Sequence, residues 1–173
     1  MPVTEEYAVS HGEDGLTKLA EEVGAALKAR GLMLATAESC TGGWVGEAIT
    51  AIPGSSHWYD RGFITYTNES KHEMLGVSAD TLARCGAVSE AVVREMVAGT
   101  LNNSHAQVAL AISGVAGPGG GSAEKPVGTV WLAWGRKDGP VTSAKYLYSG
   151  DRREIRRQAV ETALRGVLDR LEL

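Results

Sequence analysis

Two short apolar runs each break into a glycine-rich turn, and few folds accommodate both. Leu32-Met-Leu-Ala-Thr-Ala37 gives way to Glu-Ser-Cys-Thr-Gly-Gly43, and Val108-Ala-Leu-Ala-Ile112 to Ser-Gly-Val-Ala-Gly-Pro-Gly-Gly-Gly121. Apolar runs this short, bounded by turn residues, read as strands covered on both faces. Helical patterns lie between them, so both strands belong to an α/β sheet. Their turns then fall at the carboxyl ends of strands, the edge where open α/β sheets bind ligands. The 22 glycines of this 173-residue chain exceed the usual share of roughly 7%, which suits loops that approach a small ligand closely.

The remaining elements follow from periodicity. Leu16, Leu19, Ala20, Val23 and Leu27 make a helical stripe ending at Arg30-Gly31. A second helix opens near Gly42 and is stopped after Ala51 by Pro53-Gly54. Gly62–Thr67, β-branched and aromatic, predicts strand two. Asn68–Leu75 predicts a helix with Asn68 as N-cap and Lys71 in its first turn, where a cation opposes the helix dipole. Ser89–Leu101 carries Val92, Val93, Met96 and Val97 at helical spacing. Gly128–Trp134 and Ala144–Tyr148 predict an antiparallel hairpin around Asp138-Gly139. The last helix, Glu154 to about Leu171, starts with Asp151-Arg-Arg-Glu154 in capping-box form. The expected fold is α/β: a three-layer α/β/α sandwich with a mixed, mostly parallel sheet of about five strands. Residues 1–14, polar and aperiodic, read as a flexible N-terminal tail, and 15–173 as one domain.

Charge and cysteine usage exclude several function classes. The formal net charge is −4, so there is no basic field to draw the chain onto nucleic acid or an acidic membrane. No apolar run approaches the roughly 18 residues of a membrane span, and the first residues lack the pattern of a secretory signal. Cys40 and Cys85 are in no metal-ligand spacing, and the four histidines are scattered. Neither a metal nor a cofactor is therefore expected, and the protein reads as cytoplasmic with reduced thiols.

Ser39 and Cys40 sit at the first strand-to-helix junction, where a helix start offers backbone N–H groups and the positive end of a dipole. A nucleophile there would find oxyanion donors at hand. Ser39 equally suits a helix cap. Cys40 is the alternative nucleophile, but no histidine partner is evident and a small buried thiol is the usual fate of such a residue. A serine needs a base, and with histidines sparse the candidates are lysine and tyrosine. Lys71 qualifies if desolvation and a neighbouring cation lower its pKa. Ser122-Ala-Glu-Lys125 matches an SxxK pattern, but that motif needs a helix, and glycines before it and Pro126 after it forbid one.

Taken in order, Ala37-Glu-Ser-Cys-Thr-Gly-Gly43, Asp60-Arg-Gly-Phe-Ile-Thr-Tyr-Thr-Asn-Glu-Ser-Lys71, Gly86-Ala-Val-Ser-Glu90, Ser113–Gly121 and Glu124-Lys-Pro-Val-Gly-Thr-Val-Trp131 resemble the CinA C-terminal family, the nicotinamide-nucleotide amidases. The resemblance runs from about Leu16 to the end, in the stand-alone form without the amino-terminal domain of the longer CinA proteins. Ser113 stands where many relatives have threonine, which keeps the hydroxyl. The resemblance implies hydrolysis of nicotinamide mononucleotide to nicotinate mononucleotide and ammonia in pyridine-nucleotide salvage. Ser39 would be the nucleophile, and Lys71 and Tyr66 its proton-transfer partners. Backbone N–H groups near Thr41 and Gly42 would hold the oxyanion, with Gly43 also at the substrate. Ser113, Gly114, Gly117, Gly119 and Gly120 would bind the nucleotide. A cation would take the phosphate; Arg152, Arg153, Arg156 and Arg157 crowd the start of the last helix, at least two of them as a solvated face, and Arg152 is the one favoured for the ligand. A homo-oligomer is expected, with Trp58 a candidate contact. A catalytically silent nucleotide-binding or regulatory module, and a serine amidohydrolase of another amide, are the alternatives.

Overall fold

Alternation along the central strands decides the layering, because successive side chains of a strand point to opposite faces. The computed structural model describes residues 13–172. Its helices are α1 (Glu13–Ala29), α2 (Trp44–Thr50), α3 (Asn68–Leu75), α4 (Ala79–Cys85), α5 (Glu90–Asn102) and α6 (Arg152–Leu171). Its strands are β1 (Leu34–Glu38), β2 (Tyr59–Ile64), β3 (Val108–Gly114), β4 (Thr129–Arg136) and β5 (Val141–Leu147). The sheet order is β2-β1-β3-β4-β5. β1 lies parallel to β2 and β3, while β4 is antiparallel to β3 and β5. Four strands thus share one direction and β4 alone is reversed, which is the mixed, mostly parallel sheet expected.

The two faces are unequally furnished. Leu34, Leu110, Ile112, Leu132 and Trp134 project toward α1, α2 and α6, where large side chains fill the gap between sheet and helices. Ala37, Ala109, Ala111 and Ala133 project toward α5, with Leu75 of α3 and Leu82 of α4 in the same cluster. Small residues on that face let α5 approach the sheet closely, so α3 and α4 are drawn in beside it. Each fully buried Leu, Ile or Val contributes about 1.5–3 kcal/mol to this packing.

Several boundaries differ from expectation for local reasons. β2 runs Tyr59–Ile64 rather than over 62–67, because residues 65–67 leave the sheet and turn their backbone to other uses. The cap of α3 is Thr67, not Asn68: Thr67 and Ser70 exchange side-chain and backbone hydrogen bonds of 3.1 Å in a capping box. α4 has no counterpart among the expected elements, since seven residues are too few to show a period. Trp58 is core, packed against Gly24, and offers no surface for a subunit contact. α1 begins at Glu13, inside the segment expected to be a tail; the rest of that segment lies outside the described residues. Among the described residues no helix is long and apolar enough to cross a membrane.

The contact between α3 and α5 is made at Gly99. A Cβ added there would lie 1.9 Å from the Leu75 carbonyl oxygen, a backbone atom that cannot turn aside. Gly99→Ala is therefore expected to lower the unfolding free energy by about 1–3 kcal/mol despite the better helix propensity of alanine, as measured by chemical denaturation.

Candidate active site

The sheet topology puts the ends of β1, β2 and β3 side by side, and the candidate residues gather there. Ser39 is the first residue past β1, held to β3 by its N–H donating to the Ile112 carbonyl at 3.0 Å. Glu38, one residue earlier, points to the other face. Its buried carboxylate accepts from the N–H groups of Val45 (2.8 Å) and Gly46 (3.1 Å). The start of α2 is therefore already occupied by an anion, and the free N–H groups expected from a helix start are not there.

The turn that follows needs glycine. Gly42 and Gly43 have φ of 58° and 104°, in the left-handed region that residues with a Cβ rarely adopt. The Gly42 N–H donates to the Ser39 carbonyl at 3.0 Å, which removes it from the donors expected for an oxyanion. The N–H groups of Cys40 and Thr41 have no acceptor on another residue among the described residues.

Lys71 is the feature that composition and periodicity could not rank. It is 1% exposed, and its Nζ donates to the carbonyls of Thr65 (2.8 Å) and Tyr66 (3.3 Å) and to Ser39 Oγ (3.0 Å). No carboxylate accompanies it among the described residues. Burial lowers its pKa from the ordinary 10.5, with the Cys40 thiol opposing the shift. Desolvation supplies the shift without the neighbouring cation anticipated. An amine with two N–H groups committed to carbonyls has one position left, and Ser39 fills it. When Lys71 is neutral that position is its lone pair, so the Ser39 hydroxyl donates to it; when charged, the bond runs the other way.

Cys40 is the poorer nucleophile. Burial pushes its thiol up to about 11, so at neutral pH it stays protonated and unreactive.

A cleft of about 340 Å³ opens beside Ser39 and Lys71. Ser113, Gly114, Gly117, Gly119 and Gly120 line it, as expected for a ligand loop, together with Tyr66 and Arg152. Thr41, Gly42 and Gly43 do not line it. Tyr66 meets Lys71 through its carbonyl only. The residue is 59% exposed, and its hydroxyl accepts from Arg152 Nη2 at 3.2 Å. Arg152 also donates to the Gly117 carbonyl at 2.7 Å. The other arginines of the cluster are held elsewhere: Arg153 lies over the Trp44 ring, Arg156 donates to the carbonyls of Cys40 and Thr41, and Arg157 pairs with Glu161.

Sequence reasoning missed Ala87 and Val88, which form part of the cleft wall from the α4–α5 turn. The Gly86–Glu90 motif was their one signal. It also missed the role of Lys125, whose Nζ donates to the Cys85 carbonyl at 2.6 Å and ties the glycine loop to that wall. Ser122 and Lys125 form a turn and not the helix that an SxxK motif needs, with the Lys125 N–H donating to Ser122 Oγ at 3.0 Å.

Comparison with known proteins places the chain in a family. A model of the CinA C-terminal domain matches residues 16–171. Nicotinamide-nucleotide amidohydrolase PncC of Escherichia coli K12 is 56% identical over 149 residues, covering 86% of this chain and 90% of that protein. The protein of the same name from Pseudomonas putida is 51% identical over 156 residues, covering 90% and 96%. Among solved structures, competence/damage inducible protein CihA from Agrobacterium tumefaciens superposes with a TM-score of 0.89 at 46% identity, covering 95% of this chain and 99% of that one. The family model spans nearly all the described residues, and the relatives keep about half of their residues in common with it: the chain belongs to the CinA C-terminal domain family.

Proposed function

We propose that the protein is a nicotinamide-nucleotide amidohydrolase that converts nicotinamide mononucleotide and water to nicotinate mononucleotide and ammonia. The observation that carries this is the buried Lys71 amine, uncompensated by any carboxylate among the described residues and 3.0 Å from Ser39 Oγ. That pair can generate an alkoxide-like nucleophile without histidine. The names of the relatives supply the substrate class.

In the first half-reaction Ser39 Oγ bonds to the carboxamide carbon while its proton passes to Lys71 Nζ, and negative charge collects on the carboxamide oxygen. Lys71 then returns the proton to the leaving nitrogen, the C–N bond breaks, and ammonia departs. Water attacks the resulting ester with Lys71 again as base, restoring Ser39 and releasing the acid. A cationic pyridinium docked against Ser39 opposes protonation of Lys71, so substrate binding reinforces the effect of burial. Arg152 is the cation at the cleft for the phosphate, and the Ser113–Gly120 chain the cradle for the ribose side of the ligand. Tyr66 orients Arg152 through its hydroxyl and reaches Lys71 through its carbonyl, which makes Lys71 the immediate base. We extend the reading to a cytoplasmic homo-oligomer; Ile64 and Leu147, large apolar side chains left exposed, support the latter.

Purified protein incubated with nicotinamide mononucleotide is expected to release ammonia. Ser39→Ala should release none, and Lys71→Met should lose about 10²–10⁴-fold in kcat with the fold retained by circular dichroism. Binding without ammonia in the wild type would leave a silent nucleotide module, and turnover confined to other amides would change the substrate. Arg152→Met should raise KM for the mononucleotide by about 10- to 100-fold, the worth of a charged hydrogen bond, while leaving hydrolysis of the unphosphorylated nucleoside nearly unaffected.

Because burial lowers the Lys71 pKa, the amine is neutral, and basic, over a window that opens below the ordinary 10.5. At low pH the residue is charged in both folded and unfolded chains, and the fold bears the full cost of burying that charge. The cost is shed as pH rises through the folded-state pKa toward 10.5, so kcat/KM and stability should climb together. Titration of kcat/KM, and of wild-type stability minus that of Lys71→Met, should give rising limbs centred below 10.5; flat profiles would contradict the assignment.

A further inference from the structure

The glycine loop has little of its own to hold it in place. Residues 118–124 are all exposed, so no side chain there packs into the core and the loop depends on polar ties. At its base the Val115 N–H donates to the Thr129 carbonyl and the Gly128 N–H to the Val115 carbonyl, both at 2.8 Å. At its tip the Ser122 N–H donates to the Lys125 carbonyl at 2.9 Å. Two side chains then fasten it to helices on either side. Arg152 Nη1 of α6 donates to the Gly117 carbonyl at 2.7 Å, and Lys125 Nζ donates to the Cys85 carbonyl at the end of α4 at 2.6 Å. Among the described residues no other hydrogen bond joins the loop to the α4–α5 turn.

Lys125 does not line the cleft, but it abuts two segments that do. Gly121, on the loop wall, rests on the Lys125 backbone: a Cβ there would lie 3.1 Å from the Lys125 carbonyl oxygen. Ala87 and Val88 form the facing part of the lining, and a Cβ on Gly86, the residue before them, would lie 3.3 Å from Lys125 Nζ. The acceptor suits a cation. The last carbonyls of a helix have no partner within it and carry the negative end of its dipole.

We propose that Lys125 is a positioning residue for the ligand: it holds the glycine loop against the α4–α5 turn, so that residues 119–121 and the pair Ala87 and Val88 meet one bound nucleotide at a fixed spacing. The proposal rests on the reading of the cleft as a nucleotide site. A loop ordered in advance binds its ligand more tightly than one that the ligand must order. Ser39 and Lys71 are held by β1, β3 and α3, so the chemical step is independent of this tether.

The test compares Lys125→Met, which keeps the stem and loses the donor, and Lys125→Arg, which keeps a cationic donor, each first checked by thermal unfolding. Lys125→Met is expected to raise KM for nicotinamide mononucleotide about 10-fold, the lower end of what a charged hydrogen bond contributes, with kcat changed less than about twofold. Lys125→Arg should recover most of the loss. A fall in kcat at constant KM overturns the proposal, and so does a variant whose constants both match the wild type. Backbone hydrogen exchange over residues 117–124, followed by mass spectrometry, should be faster in ligand-free Lys125→Met than in the wild type. It should converge on the wild-type rate in saturating nicotinate mononucleotide; equal exchange in the two ligand-free proteins overturns the tether.

Calorimetry with nicotinate mononucleotide needs no turnover and separates this proposal from the amidase reading. The Kd of Lys125→Met should be weaker than that of the wild type by about the factor seen in KM. If the wild type binds this nucleotide but releases no ammonia from nicotinamide mononucleotide, the amidase reading falls alone and the ratio of the two Kd values decides the role of Lys125. Equal Kd values in a wild type that does release ammonia remove the Lys125 proposal alone. A wild type that does not bind the nucleotide removes the nucleotide site and this proposal with it.

Discussion

A lysine amine buried with two carbonyls, one hydroxyl and, among the described residues, no carboxylate is the constraint around which the rest of this structure is arranged. Burying a charge without a counter-charge is costly, and the group responds by lowering its pKa. Only a rigid surround can hold it there. Thr67 and Ser70 fix the start of α3, Gly76 ends it in a left-handed conformation, and Gly99 lets α5 close over its last turn. The carbonyls that receive Lys71 come from residues 65 and 66, which is why β2 stops at Ile64 while the chain is still β-branched and aromatic.

The same economy of position governs the two acidic and nucleophilic neighbours at the end of β1. Glu38 and Ser39 are adjacent in sequence but face opposite layers. Glu38 spends its charge on the start of α2, on the face of α1 and α6. Ser39 turns to Lys71 on the face of α5. Had the register slipped by one residue, a carboxylate would face the lysine, hold it charged and end its use as a base. The alternation of the strand thus keeps the Glu38 carboxylate away from the amine.

The arginines at the start of α6 illustrate how far residue type alone can go. In sequence they form one basic cluster at the positive end of a helix, an unfavourable concentration that invites an anion. In space they divide into a cleft residue, a stacked one, a backbone clamp and an ion pair. The family pattern called for a cation at the phosphate, and Arg152, favoured among the four, is the one that lines the cleft. The clamp role of Arg156 was not legible, because its partners are carbonyls more than a hundred residues away.

The sequence by itself determined the layered α/β architecture, the placement of Ser39 at a strand end, the two glycine turns and the capping of α6. These follow from local signals: periodicity, β-branching, glycine at positive φ, and an Asp and Glu at cap spacing. It did not determine the cap of α3, since Thr67 and Asn68 have similar capping power and only the backbone angles chose between them. Nor could it reveal α4, too short to show a period, or the core position of Trp58. Above all, residue type and spacing gave Lys71 only a conditional claim to be the base, and the family resemblance was needed to name it a proton-transfer partner. Only the tertiary structure supplied the burial that lowers its pKa, because the pKa of an amine depends on the solvent it has lost and the acceptors it has met, and both are set by chain segments that come together only on folding.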